Sequence, residues 1–165
     1  MPEAKGLSAL VLDDDQYALD FLAAILEDRY PGLSIDTKLV PEPVPGYDLY
    51  FLDDDFEGVR LAGELARRIR TQSPESLILA FSASLDARTL RELLLAGCNG
   101  VCDKKVTSDL PEMLNTLDRC IETLEADRRG AQAAEGVLST VRTLFSTWNQ
   151  RLDELERGSG ARPNS

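Results

Sequence analysis

The chain has 165 residues, 43% of them hydrophobic and 28% charged, the balance of one folded domain with an appendage and not of a disordered segment. With 29 acidic against 18 basic residues the net charge is −11, a surface that repels nucleic acid and anionic lipid. The count of histidine is 0, which excludes a histidine-based triad, a His-ligated zinc and a phosphohistidine within the chain.

No apolar run approaches the ~20 residues of a membrane span. The stretch before the first aspartates is too short for the apolar region of a signal peptide. Both point to a cytoplasmic protein, as do three cysteines (Cys98, Cys102 and Cys120) that read as reduced, partly buried thiols.

Short apolar runs alternate with helical patterns. Ala9 to Leu12 is an apolar run that stops at Asp13-Asp14-Asp15. From Tyr17 to Tyr30, Leu19, Leu22, Ile25 and Leu26 recur at helical spacing until Pro31-Gly32. Leu33 to Leu39 alternates apolar and polar as a half-buried strand does, and Pro41 to Gly46 is a proline-rich loop. Leu49 to Leu52 is a second buried run, again stopped by three aspartates, Asp53-Asp54-Asp55.

The spacing of Leu61, Leu65 and Ile69 predicts a helix over Val59 to Ile69, with arginines on its outer face. Leu77 to Phe81 is a further strand, Asp86 to Leu95 a short helix closed by Gly97, and Cys98 to Cys102 a weaker fifth strand ending at Asp103-Lys104-Lys105. Asp109 to Glu125 is a helix that tolerates Pro111 in its first turn. Five strands alternate with four helices, and runs apolar on both faces predict an α/β fold: a doubly wound, five-stranded parallel sheet with helices on both sides.

This domain is expected over residues 1–126. Residues 127–158 form a C-terminal amphipathic helix, in which Val137, Val141, Leu144, Trp148, Leu152 and Leu155 make one near-heptad stripe, and 159–165 a flexible tail. The stripe needs burial, either folded back on its own domain or, as we expect, against a second copy in a homodimer.

In an open parallel sheet the chemistry lies just past the carboxyl ends of the strands. Asp13-Asp14-Asp15, Asp53-Asp54-Asp55, Ser82 and Lys104 all fall there. One acidic triplet reads as a solvated loop. Two on neighbouring strand ends repel each other unless a divalent cation holds both, which points to Mg2+.

Val11 to Asp15, Asp48 to Asp53, Phe81-Ser82-Ala83 and Asp103-Lys104, in this order and register, resemble the four signatures of bacterial response-regulator receiver domains. The resemblance covers residues 7 to about 125 and implies the flavodoxin-like receiver fold. It implies Asp53 as phosphoacceptor and Asp13 and Asp14 as the acidic metal pair, with Asp14 the direct ligand. It further implies the backbone carbonyl of Asp55 as a metal ligand, Ser82 as the switch hydroxyl and Lys104 as the phosphoryl contact. Asp15 and Asp54 match no such role and read as solvated neighbours.

The phosphodonor is then a histidine kinase or histidine phosphotransfer protein. The output is a downstream protein partner, with no nucleic acid and no membrane, and the chain is a signalling protein and not an enzyme. Several positions depart from the family. The stretch between the second and third strands is too short for the usual second helix, and the loop after Asp53 is shortened. Val101 stands where an aromatic switch residue is common, and Lys105 where a proline is usual. These departures favour an alternative, a pseudo-receiver that binds partners without phosphorylation. A remote third reading is a haloacid-dehalogenase-like phosphohydrolase, whose Asp-x-Asp motif Asp53-Asp54-Asp55 resembles but whose acidic pair follows the lysine.

Overall fold

A computed structural model describes residue 4, residues 6–128 and residues 150–157. Its centre is a five-stranded sheet of β1 (Ser8–Leu12), β2 (Ser34–Lys38), β3 (Leu49–Asp53), β6 (Leu77–Ser82) and β7 (Gly100–Asp103), all parallel, in the order β2-β1-β3-β6-β7. Four helices flank it: α1 (Gln16–Arg29), α2 (Ala62–Gln72), α3 (Ala87–Ala96) and α4 (Asp109–Arg128). This is the expected doubly wound architecture, a flavodoxin-like fold. Every residue of β3 and β6 is buried, as befits central strands covered on both faces, while β2 at the edge is only half-buried or exposed throughout.

The helix ends are set by local chemistry. Asp15 caps α1 by accepting from the Tyr17 N–H at 3.0 Å, and Asp86 caps α3 by accepting from the Thr89 N–H at 2.7 Å. Gly97 ends α3 with φ of 112°, and a β-carbon there would meet Arg70 Cγ at 2.6 Å, so only glycine fits.

No helix stands between β2 and β3 among the described residues. The proline loop runs there instead. Tyr50 is fully buried beneath it and donates to the Val44 carbonyl at 2.7 Å, while the Tyr47 ring packs edge-on against it at 5.8 Å.

One predicted element is corrected. Val59 is not helical: β4 (Asp55–Phe56) and β5 (Val59–Arg60) form a short antiparallel hairpin, and α2 begins only at Ala62. Glu57 and Gly58 turn the hairpin with φ of 53° and 84°, the two left-handed residues of a type I′ turn. The Lys104–Lys105 bond is trans, like every peptide bond among the described residues.

Of the C-terminal stripe, Val137, Val141, Leu144 and Trp148 lie outside the described residues, as does the 159–165 tail. Residues 150–157 are helical and pack on the α/β unit of the same chain. Leu152 and Leu155 sit half-buried against the core. Arg151 pairs with Asp109 at 2.7 Å and Glu156 with Arg91, which ties the segment to α4 and α3.

Candidate functional site

Strand register alone assembles the site. Leu12 lies opposite Leu52, Asp53 opposite Phe81, and Ser82 opposite Asp103. The next residues in the chain (Asp13, Asp54, Ala83 and Lys104) therefore leave the sheet side by side at its carboxyl edge. Backbone bonds continue past the strands and fix this edge: Lys104 N donates to the Ser82 carbonyl at 2.8 Å, and Asp54 N to the Phe81 carbonyl at 2.9 Å.

The edge opens into a cavity of about 490 Å³ whose lining includes Asp13, Asp14, Asp53, Asp55, Ser82, Ala83 and Lys104. Every residue given a site role in the sequence reading is in it. Asp13, Asp14 and Asp53 each offer a carboxylate oxygen within 4.8 Å of the others. Asp13 and Asp53 are 8% and 6% exposed, so two of the three charges are held largely away from water. The Lys104 ammonium pairs with Asp53 and lies 3.7 Å from Asp13.

One ammonium cannot balance three carboxylates, and the electrostatics record the shortfall. Burial pushes the Asp53 carboxyl up to about 6, against the opposing pull of Lys104. Burial also raises Asp13, partly offset by the Asp15 N–H that donates to it at 3.0 Å. Lys104 is drawn down by its own burial, but its bond to Asp53 outweighs that and holds it above the usual range.

These residues fit a magnesium ion. The ion is small, prefers carboxylate oxygens and keeps part of its water shell, so a few convergent oxygens on an open cavity suffice. The surplus negative charge supplies the attraction.

The remaining side chains are placed by the hairpin and the loop after β6. Asp14 is exposed, and one of its oxygens accepts from the Glu57 N–H at 2.8 Å, which ties the hairpin turn to the acidic pair. The Asp55 carboxylate accepts from the Gly58 N–H at 2.7 Å and stabilises the turn. Ser82 is buried, and its Oγ accepts from the Ser84 N–H at 3.2 Å, leaving its own O–H available to donate.

Asp54 is not the solvated neighbour expected. It is 5% exposed, pairs with Arg60 at 3.2 Å and accepts from the Ala62 N–H at 3.3 Å, holding the start of α2. Asp15 is exposed as expected and is also the α1 cap. Arg60, a second cation on the cavity wall, escaped the sequence reading because it was counted among the outward arginines of a helix. The Glu57-Gly58 pair between Asp55-Phe56 and Val59-Arg60 was the turn signal that would have exposed it.

No family model and no curated protein sequence matches the chain. Solved structures do match its fold. A CheY-like receiver domain protein from Methanospirillum hungatei superposes with a TM-score of 0.60 at 18% identity, over 73% of this chain and 98% of that one. The non-phosphorylated HemR receiver domain from Leptospira biflexa gives 0.59 at 20% identity, over 70% and 94%. The BeF3-activated DrrB receiver domain gives 0.57 at 19% identity, over 70% and 96%. The chain thus has the fold of response-regulator receiver domains.

Proposed function

We propose that this chain is a response-regulator receiver protein that accepts a phosphoryl group on Asp53 and signals through protein–protein contacts. The observation that carries this reading is the convergence of Asp13, Asp14 and Asp53 on one cavity with Lys104 paired to Asp53. The donor is a phosphohistidine on a partner kinase or phosphotransfer protein.

The Asp53 carboxylate attacks the phosphorus and forms a new P–O bond. The P–N bond to the donor breaks, its electron pair returns to the imidazole, and that nitrogen takes up a proton. Near neutral pH a carboxyl with a pKa of about 6 is largely ionised and able to attack.

A carboxylate approaches a phosphoryl group only if their negative charges are offset. Magnesium, when bound, supplies positive charge to the transferring oxygens; Asp13, Asp14, Asp53 and the Asp55 carbonyl are the residues that would hold it. The Lys104 ammonium, already at Asp53, supplies a further offset and orients the carboxylate. The Ser82 O–H donates to a phosphoryl oxygen that exists only after transfer, so the loop after β6 gains a contact specific to the modified state. Ala83 leaves the entrance open.

The protein works as a cytoplasmic signalling module and not as a turnover enzyme. No described helix is long and apolar enough to cross a membrane. The homodimer proposed from the C-terminal stripe must rest on Val137, Val141, Leu144 and Trp148, since Leu152 and Leu155 pack against their own domain.

Intact-mass spectrometry after incubation with acetyl phosphate and magnesium tests the proposal. Wild type should gain one phosphoryl mass, and magnesium-free samples and Asp53→Asn should gain none. A wild type that gains nothing would leave a pseudo-receiver. Steady phosphate release from a generic phosphomonoester would indicate a phosphohydrolase.

A further inference from the structure

The cavity wall carries two cationic side chains, and the proposed phosphotransfer uses only Lys104. The other, Arg60, reaches from the β4–β5 hairpin to two elements at once. Its Nε donates to Asp54 Oδ2 at 3.2 Å, and its Nη2 donates to Thr89 Oγ1 at 2.6 Å. Asp54 follows the acceptor Asp53 directly. Thr89 lies in the first turn of α3, is 3% exposed, and gives its N–H to the cap Asp86.

We propose that Arg60 is a positioning residue that couples the phosphoacceptor cavity to α3: it turns to the phosphoryl group on Asp53 and releases Thr89. This rests on Asp53 being the acceptor. Three observations support it. Val101, paired with Ala80 on the strand beside Ser82, is fully buried and carries no polar side-chain atom, so its side chain cannot take a hydrogen bond from the Ser82 hydroxyl. The Arg60 side chain is half exposed, so it can turn without emptying a buried space, whereas Asp54 is buried and anchored at the start of α2.

The third is the order of bond strengths. A guanidinium binds a phosphoryl dianion through paired, charge-assisted bonds, and a carboxylate nearly as well, but a neutral hydroxyl only weakly. When a phosphoryl group arrives, the Thr89 bond is the one that yields. Because the phosphoryl exists in only one state, the contact is differential and shifts an equilibrium. The first turn of α3 loses an anchor, and its amides open more often.

Hydrogen exchange on the full chain tests this, with magnesium and beryllofluoride as the phosphoryl-like probe and a thermal shift as the independent measure of binding. In wild type the amides of residues 87–90 should exchange roughly fivefold or more faster with the probe than without it. At probe concentrations that saturate each variant in a thermal-shift titration, Arg60→Gln and Thr89→Val should show less than about a twofold difference. Arg60→Lys keeps the charge, cannot span both partners, and should behave like Arg60→Gln.

If Arg60 were merely scaffold, its loss would speed α3 exchange in both states and leave the difference between them unchanged; that result overturns the coupling. So does a full α3 response in Thr89→Val. A wild type that shows neither a thermal shift nor labelling at Asp53 removes the receiver reading and the coupling with it. Labelling at Asp53 with no change in α3 removes the coupling alone.

Discussion

At the amino end of the sheet Arg29 lays its guanidinium flat against Asp118, two bonds of 2.8 Å, and the buried Tyr30 hydroxyl donates to the same carboxylate at 2.6 Å. Arg70, in the last turn of α2, spends its donors on the carbonyls of Gly97, Pro74 and Ser76 and on Asn99 Oδ1. At the carboxyl end three carboxylates crowd one ammonium, and the Asp53 carboxyl is driven up to about 6 by burial. At the amino end Arg29 meets Asp118 charge to charge, and the donors of Arg70 all find backbone or amide oxygens. The carboxyl end is incomplete by design of its residues. Asp118 is held below, and Asp53 above, the usual carboxylate range, for opposite reasons: a bidentate arginine in one case, desolvation in the other.

Breaking a matched pair should hurt more than breaking the mismatched cluster. Asp118→Ala removes both carboxylate bonds of Arg29 and the short bond from the Tyr30 hydroxyl, leaving them Asn115 Oδ1 and the Leu114 carbonyl, and should cost about 3 kcal/mol in urea denaturation, with or without magnesium. Loss below about 1 kcal/mol would show that the amino-end cluster is solvated and the contrast false.

The pH dependence sharpens the comparison. A carboxyl raised in the folded state binds protons more tightly there than in the unfolded chain. Its stabilisation is therefore fully present below the unfolded pKa of 3.8 and is lost as pH rises through about 6. Asparagine at position 53 has no such loss. Without metal, wild type should fall relative to Asp53→Asn by about 2 kcal/mol between pH 4 and 7. Parallel curves would mean that Asp53 is not penalised by its burial.

Magnesium should then restore what ionisation removes. At ten times its dissociation constant the ion should stabilise wild type by about 1.4 kcal/mol. Asp53→Asn and Asp13→Asn should respond less, and Asp118→Ala as strongly as wild type. Equal responses in all four proteins would place the ion elsewhere.

The smallest effect is expected at the C-terminal segment. Arg151→Ala removes a partly exposed partner of Asp109, whose carboxylate keeps the Asp103 N–H at 2.7 Å, so the cost should be about 1 kcal/mol. Light scattering over a hundredfold dilution tests the dimer separately, and a full-length chain that stays monomeric throughout would remove it.

Much of this was legible in the residues themselves. Apolar runs ending at Asp13, Asp53, Ser82 and Lys104 announce parallel strands with polar carboxyl ends, because a strand buried on both faces must be apolar until it emerges. Burial likewise explains the three thiols, each raised to about 12. What escaped depended on contacts between elements. Val59 and Arg60 continue the helical spacing of Leu61 and Leu65, and only the left-handed turn at Glu57-Gly58 breaks it. Asp54 is indistinguishable from Asp55 in sequence, yet one is buried against Arg60 and the other exposed in the turn. The seat of residues 150–157 depends on Asp109 and Arg91, which no periodicity connects to Arg151 and Glu156.

The central claim is that Asp53, and neither neighbour in its triplet, is the acceptor. Borohydride reduction of the acetyl-phosphate-treated protein converts a phosphoaspartate to homoserine, which peptide sequencing by mass spectrometry locates. The account predicts homoserine at position 53 alone, only when magnesium is present. Homoserine at Asp54 or Asp55, or its appearance without magnesium, would contradict it.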